Sequence, residues 1–242
     1  MKNKYKVGGL FSGIGGIELG FEKAGFHISW ANEYDKNACK TYRENYNHML
    51  FEEDIHLLKG SELPKINVLT GGFPCQAFSY AGKKMGFEDT RGTLFYEFAR
   101  AIKETQPKIC IAENVRGLIS HDNGKTLDTM VNTLKELGYN VLEPKLLKAI
   151  YFRVPQKRER LFLVGIRKDF PKDKFHFPAP FIKSFTVKDA LKKSELYNCD
   201  VPKSNGQKYP ESKKKILDLV PPGGYWRDLP EKLQKEYMMK SF

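Results

Sequence analysis

Short apolar runs alternate with amphipathic stretches from the start of the chain, and this alternation leaves few architectures open. The strand-like runs are YKVGGLF, FHISWANEY, INVLTGGF, ICIAENV, NVLEPKLLKA and RLFLVGIR; between them fall the helix-like GGIELGFEKAG, KNACKTYRENY, TLFYEFARAIKET and TLDTMVNTLKELG. The strands are brief and largely apolar on both faces, as in a parallel sheet that is covered by helices on each side. The expected fold is therefore α/β, a doubly wound, mostly parallel sheet over residues 1–167. Ligands of such sheets bind beyond the carboxyl ends of the strands, where the unusual motifs of this chain cluster. After Arg167 the texture changes to PKDKFHFPAPFIKSF and then LVPPGGYWRDLP, so residues 168–242 read as a linker and the beginning of a second, incomplete module. The run Lys213 to Lys215 reads as a solvated helix face.

Charge narrows the partners. With 41 Lys+Arg against 29 Asp+Glu, the chain is drawn to a polyanion, and nucleic acid leads. A hydrophobic content of 40% excludes compositional disorder, and no apolar run nears bilayer-spanning length. The start, Met1 to Lys4, has no apolar signal core, so a soluble cytoplasmic protein is expected. Cys39, Cys75, Cys110 and Cys199 form no CxxC pair and no Cys/His cluster at zinc spacing, which indicates neither a disulfide framework nor a metal site.

LFSGIGG at 10–16 is a glycine-rich turn between the first strand and the first helix, of the kind that lets backbone approach a nucleotide-like ligand. Gly13 and Gly15 begin a GxGxxG spacing, but Glu18 stands where the third glycine would fall. That counts against NAD or FAD, and no GxxxxGK[ST] is present for a triphosphate. NEYD at 32–35 ends the second strand with Glu33, where α/β sites hold ribose hydroxyls, although a capping or surface acid has the same pattern. Asp54, in EEDI, falls where a third strand would end and could meet an adenine amino group; a surface acid is the alternative.

Cys75 follows GGFP and precedes the polar, glycine-punctuated QAFSYAGKKMGFEDTRG, whereas Cys110 lies inside the apolar ICIAEN and reads as core. A thiol at a strand end is positioned as a nucleophile. With a reference pKa of about 8.5, it needs positive neighbours or a substrate that becomes electrophilic on binding. No histidine lies near Cys75, so the sequence does not advertise a protease-like pair. AENV at 112–115 brings Glu113 to the same rim, where a carboxyl can serve a heterocyclic ring nitrogen. QKRER at 156–160 adds Arg158 and Arg160, spaced by two and so expected on one face of a strand, suited to a phosphate or a base carbonyl.

In order, LFSGIGG, NEYD, EEDI, GGFPCQAFS, TRGTLF, ENV and QKRERLFLVGIR resemble the consecutive blocks of the DNA cytosine-5 methyltransferases of the bacterial restriction-modification type, over residues 5–167. The resemblance implies a Rossmann-like methyltransferase fold and methyl transfer from S-adenosylmethionine to C5 of a cytosine in double-stranded DNA. It implies Cys75 as the covalent nucleophile on C6, with Pro74 shaping the turn. It gives Glu113 the task of serving N3, Asn114 that of holding the ENV turn, and Arg158 and Arg160 the O2 side and a nearby phosphate. For the cofactor it implies Phe11, Ser12 and the turn Gly13, Ile14, Gly15 and Gly16, then Glu33 and Tyr34, Asp54 and Ile55, with Phe73, Pro74 and Leu94 closing the pocket. Gln76, Ser79, Lys83, Lys84 and Arg91 lie on a loop expected to close on DNA around a flipped base.

The family also carries a target-recognition region and two further blocks that the sequence does not hold. The expectation is a fragment that needs complementation, either one subunit of a split enzyme whose second polypeptide supplies the rest or a truncated chain, in preference to a self-sufficient minimal enzyme. Relatives that methylate transfer RNA, and a non-catalytic DNA-binding or regulatory subunit, are the alternatives.

Overall fold

Local chemistry sets the element ends. The computed structural model describes residues 5–74, 94–171, 175–186, 189–190, 210–221 and 224–239. In chain order it forms β1 (Lys6–Leu10), α1 (Gly16–Lys23), β2 (His27–Asn32), α2 (Lys36–Asn45), β3 (Met49–Phe51), β4 (Val68–Gly71), α3 (Leu94–Thr105), β5 (Ile109–Val115), α4 (Lys125–Glu136), β6 (Tyr139–Val141), β7 (Lys145–Lys148) and β8 (Glu159–Arg167). The carboxylate of Asp35 caps α2 by accepting from the amides of Asn37 and Ala38 at 3.0 and 2.8 Å. Past the end of α4, Gly138 takes φ +92° and its amide reaches the Lys135 carbonyl at 3.1 Å, a left-handed exit that glycine adopts freely.

The strands form one eight-stranded sheet in the order β3-β2-β1-β4-β5-β8-β6, with β7 pairing β8 off that path. From β3 to β5 all neighbours are parallel; β8 runs antiparallel to β5, and β6 and β7 run antiparallel to β8. The doubly wound, mostly parallel sheet expected from the alternation is thus the observed one. NVLEPKLLKA, expected as a single strand, divides into β6 and β7 around Leu142–Pro144. Proline has no N–H to give a ladder, so the run breaks there.

Both faces are covered. Phe95, Phe98 and Ile102 of α3, at helical spacing, pack with Leu10, Leu69 and Cys110 and with Met130 and Leu134 of α4. On the other side Val7, Ile28 and Val68 meet Phe21 of α1 together with Ile109 and Ile111. The neighbours Val68 and Leu69 fall into different clusters, as the two-residue period of a strand requires. Cys110 is fully buried, in keeping with a core role. At Gly71 a Cβ would lie 2.7 Å from the Phe98 ring, so α3 sits directly against bare strand backbone.

The first compact unit runs Met1–Ala190. Residues after Arg167 belong to it: the Phe181 amide donates to the Tyr151 carbonyl at 2.8 Å, and the Arg153 guanidinium lies 5.4 Å from the Phe185 ring centroid. The second unit, Leu191–Phe242, contains α5 (Glu211–Leu217) and α6 (Glu231–Met239). Lys213, Lys214 and Lys215 are exposed on α5. Gln234 of α6 donates to the carbonyls of Arg227 and Leu229 at 2.8 and 2.6 Å, tying the helix to the turn before it. No helix among the described residues is long and apolar enough to cross a membrane.

Candidate active site

The carboxyl ends of β1, β2, β4 and β5 converge on one rim. β1 runs into Phe11, which holds φ +57°, and the turn continues through Gly13 at φ +55° and Gly15 at φ +88°. The Ser12 amide donates to the Asn32 carbonyl at 3.0 Å, and the Gly13 amide donates to Glu33 Oε2 at 2.8 Å. Glu33 Oε1 accepts from the amides of Tyr34 and Asp35 at 2.9 and 2.8 Å. A carboxylate gripped by backbone amides on both oxygens is fixed in orientation. The neighbouring Asn32 donates to the carbonyls of Phe51 and Glu53 at 3.1 and 2.8 Å, which draws the segment after β3 onto the same rim.

Here a cleft of about 400 Å³ opens, lined by Phe11, Asn32, Glu33, Tyr34, Glu53, Asp54, Ile55, Gly72, Pro74 and Leu94. Phe11, Glu33, Tyr34, Asp54, Ile55, Pro74 and Leu94 were expected there from the sequence. Asn32, Glu53 and Gly72 were not, although they stand in the same NEYD, EEDI and GGFP segments. Phe73 is instead 2% exposed, behind the cleft, in edge-on contact with Phe11 and Phe95. Ser12, Gly13, Ile14, Gly15 and Gly16 form the turn beside the cleft rather than its lining, and Ile14 is exposed. The His56 amide, at 3.0 Å, and then its ring, at 2.6 Å, hold the Asp54 carboxyl below the usual carboxylate range.

Two strands bring the other charged groups together. Glu113 of β5 pairs with Arg160 of β8, Oε1 to Nε at 2.9 Å, both side chains mostly shielded. Antiparallel register, with Asn114 opposite Leu161 and Val115 opposite Arg160, makes that pairing a short diagonal reach. A Cβ on Gly72 would lie 3.8 Å from Glu113 Oε2, so the acid faces the backbone just after β4. Asn114 is 4% exposed; its Nδ2 donates to the Phe73 carbonyl at 2.9 Å and its Oδ1 accepts from the Val115 amide at 2.8 Å. ENV is thereby tied to the segment that leads into Cys75. Arg158 departs from expectation: it precedes β8 and is exposed, with its carbonyl taken by the Ala149 amide at 2.8 Å, so the period-two argument, which needs one strand through both arginines, does not apply. Cys75, Gln76, Ser79, Lys83, Lys84 and Arg91 lie outside the described residues.

Next to the Glu113–Arg160 pair, Arg116, Lys148, Tyr151, Lys157 and Arg160 line a second hollow of about 580 Å³. Glu159 bridges two of its cations, Arg116 at 2.9 Å and Lys148 at 2.8 Å. Arg116 follows ENV directly and Lys157 stands within QKRER, but Lys148 comes from β7 and no sequence signal links it to them. Among the described residues no group of three or more His, Cys, Asp or Glu side chains could hold a metal ion.

The family described as C-5 cytosine-specific DNA methylase matches residues 5–225. The chain belongs to it. Among similar proteins, the type II methyltransferase M.Eco47II of Escherichia coli is 57% identical over 243 residues, covering 99% of this chain and 58% of the relative. The type II methyltransferase M.PspPI of a Psychrobacter strain is 54% identical over 241 residues, covering 98% of this chain and 58% of the relative. The chain therefore spans less than two thirds of either relative's length. A crystal structure of a candidate DNA modification methyltransferase from an E. coli prophage shares the fold, with a TM-score of 0.64, 30% identity, and coverage of 78% of this chain and 54% of that one.

Proposed function

We propose that this methylase transfers the methyl group of S-adenosylmethionine to C5 of a flipped-out cytosine in double-stranded DNA, as the modification activity of a type II system. The observation that carries the reading is the rim itself: an amide-held acid in a nucleoside-sized cleft stands beside an acid–guanidinium pair, and Asn114 ties the strand of that pair to the segment entering Cys75. The cleft suits the donor. Glu33 offers fixed acceptors to ribose hydroxyls, Asp54 an acceptor to the adenine amino group, and Phe11 an aromatic edge.

When bound, S-adenosylmethionine supplies an electrophilic sulfonium methyl. The Cys75 thiolate forms a bond to C6 of the base, and Glu113 donates a proton or hydrogen bond at N3, so the electron pair reaches C5 as an enamine. Arg160 holds Glu113 and would face the O2 side. C5 would then take the methyl group as the sulfonium–methyl bond breaks to leave S-adenosylhomocysteine; water or hydroxide would remove the C5 proton, and the electron pair left behind would expel Cys75 as thiolate while any proton held at N3 returns to Glu113. The cations Arg116, Lys148 and Lys157 suit DNA phosphates next to the extruded nucleotide. Base-edge contacts come, in this reading, from the additional length that the relatives carry, on the same chain or on a partner. The family is described as a DNA methylase, which favours DNA over transfer RNA.

The test is methyl transfer from labelled donor to mixed-sequence duplex, with the chain alone and with the downstream coding region co-expressed, alongside trapping on a 5-fluorocytosine duplex. Transfer in either form with a covalent Cys75 adduct is expected. Silence in both, or transfer without trapping, refutes the reading.

A further inference from the structure

Three alternate carbonyls of the segment at and after β3 are held by side chains from other elements. Asn32 takes those of Phe51 and Glu53, and Arg100 of α3 takes that of Ile55, its Nη2 donating at 2.8 Å. Asp54 and Ile55 line the cleft, but they lie past the end of β3. The backbone bonds of their own turn run from the Leu57 amide to the Asp54 carbonyl at 2.9 Å and from the Leu58 amide to the Ile55 carbonyl at 3.2 Å. Arg100 is itself fixed. Its Nε and Nη2 lie 2.7 and 2.6 Å from Glu97 Oε2, and its Nη1 lies 3.0 Å from Glu104 Oε2, so acids one turn to either side on α3 set the plane of the guanidinium. Glu104 Oε2 also accepts from the Gly60 amide at 2.6 Å, and a Cβ on Gly60 would collide with the Glu104 side chain, so helix and segment touch there as well. The helix beneath this network is anchored in the core by Phe95, Phe98 and Ile102, and its first residue, Leu94, lines the same cleft as Ile55.

We infer that Arg100 is a positioning residue for the adenine end of the donor: through the Ile55 carbonyl it fixes the turn from which Asp54 and Ile55 face the cleft, without lining the cleft itself. This rests on the donor reading given above. Ion pairs spaced by three and four residues support a helix only weakly. The bond to Ile55 is of another kind, since it joins residues 45 apart in the chain and its charged donor is mostly shielded, with 29% of the side chain exposed. Asp54 and Ile55 share a peptide bond, so a shift of the Ile55 carbonyl carries Asp54 with it. The Asp54 carboxyl, oriented by the His56 amide at 3.0 Å and ring at 2.6 Å, would then present its acceptor away from the adenine amino group.

The experiment is calorimetric binding of S-adenosylhomocysteine and of its inosine counterpart, in which an oxo group replaces the adenine amino group, to wild type and Arg100→Gln. Wild type should prefer the adenine compound by about 10-fold or more, the effect of a hydrogen bond to a charged acceptor. Arg100→Gln should weaken binding of S-adenosylhomocysteine by about 10-fold and of the inosine counterpart by less than about threefold, so the preference shrinks by at least about threefold. A merely structural role would move both compounds together and leave their ratio alone. If Arg100→Gln fails to fold, Arg100→Lys, which keeps the charge but gives up the planar fork, should cut the preference at least about twofold. Equal affinities in wild type, or a preference that survives the substitution, overturns the assignment and leaves donor binding standing. Binding of neither compound by wild type overturns the donor reading, and this inference with it.

Discussion

Replacing Asn114 with alanine tests whether one buried amide holds the rim together. The truncation removes the 2.9 Å donor to the Phe73 carbonyl and the 2.8 Å acceptor of the Val115 amide. Phe73 is 2% exposed and its carbonyl's bond to Asn114 is buried, so water does not readily replace the lost donor; Val115 is 41% exposed and its amide can rehydrate. A buried group stripped of its partner costs about 1–3 kcal/mol and a rehydrated one about 0.5 kcal/mol, so the sum is about 1.5–3.5 kcal/mol. For a chain of this size that lowers Tm by about 3–14 °C. Thermal and urea melts of wild type and Asn114→Ala read this directly. Because Phe73 lies just before Pro74 and Cys75, covalent trapping on a 5-fluorocytosine duplex should also slow about 10-fold or more, since positioning of the nucleophile is lost. A loss below about 0.5 kcal/mol with trapping unchanged would refute the reasoning, because the amide would then be neither holding Phe73 nor positioning the chain toward Cys75.

Glu113→Gln should reduce single-turnover methyl transfer by about 100-fold or more, as for removal of a general acid, while shifting stability by less than about 1 kcal/mol, because its ion pair is partly solvated. Gly71→Ala sets a methyl group 2.7 Å from the fully buried Phe98 ring and should cost about 1–3 kcal/mol in urea unfolding; no change would mean that α3 moves aside freely. Glu18 has a folded-state pKa above its unfolded value, so its contribution is present in full below about pH 4.5 and is lost as pH rises through the folded value. The Tm of Glu18→Gln should therefore gain on wild type as pH increases from about 4.5 upward, and a constant difference across that range would contradict a buried, neutral acid.

Much of this protein is local in origin and was legible as such. The alternation of short apolar runs with helix-like stretches predicted the α/β sheet, and Glu33 and Asp54 were picked out because strand ends of parallel sheets collect at one rim whatever the details of packing, while Ile55, Pro74 and Leu94 came from the family resemblance. Cys110 could be assigned to the core from its apolar neighbours alone. What tertiary structure decided is everything that depends on long-range register. The antiparallel insertion of β8 beside β5 is what lets Arg160 reach Glu113, and no local pattern encodes which strand will be a neighbour. Lys148 joins Arg116 across Glu159 for the same reason. Phe73 looked like pocket wall in the sequence and is core, because the ring packs under Phe11 and against Phe95. Glu18 registered only as a missing glycine; its burial, its bond to Ser12 and its unsatisfied oxygen arise because Gly9, on another element, leaves the space its carboxyl fills. Periodicity along one segment follows from backbone geometry and can be read residue by residue, whereas partners distant in sequence are chosen by the packing of the whole chain.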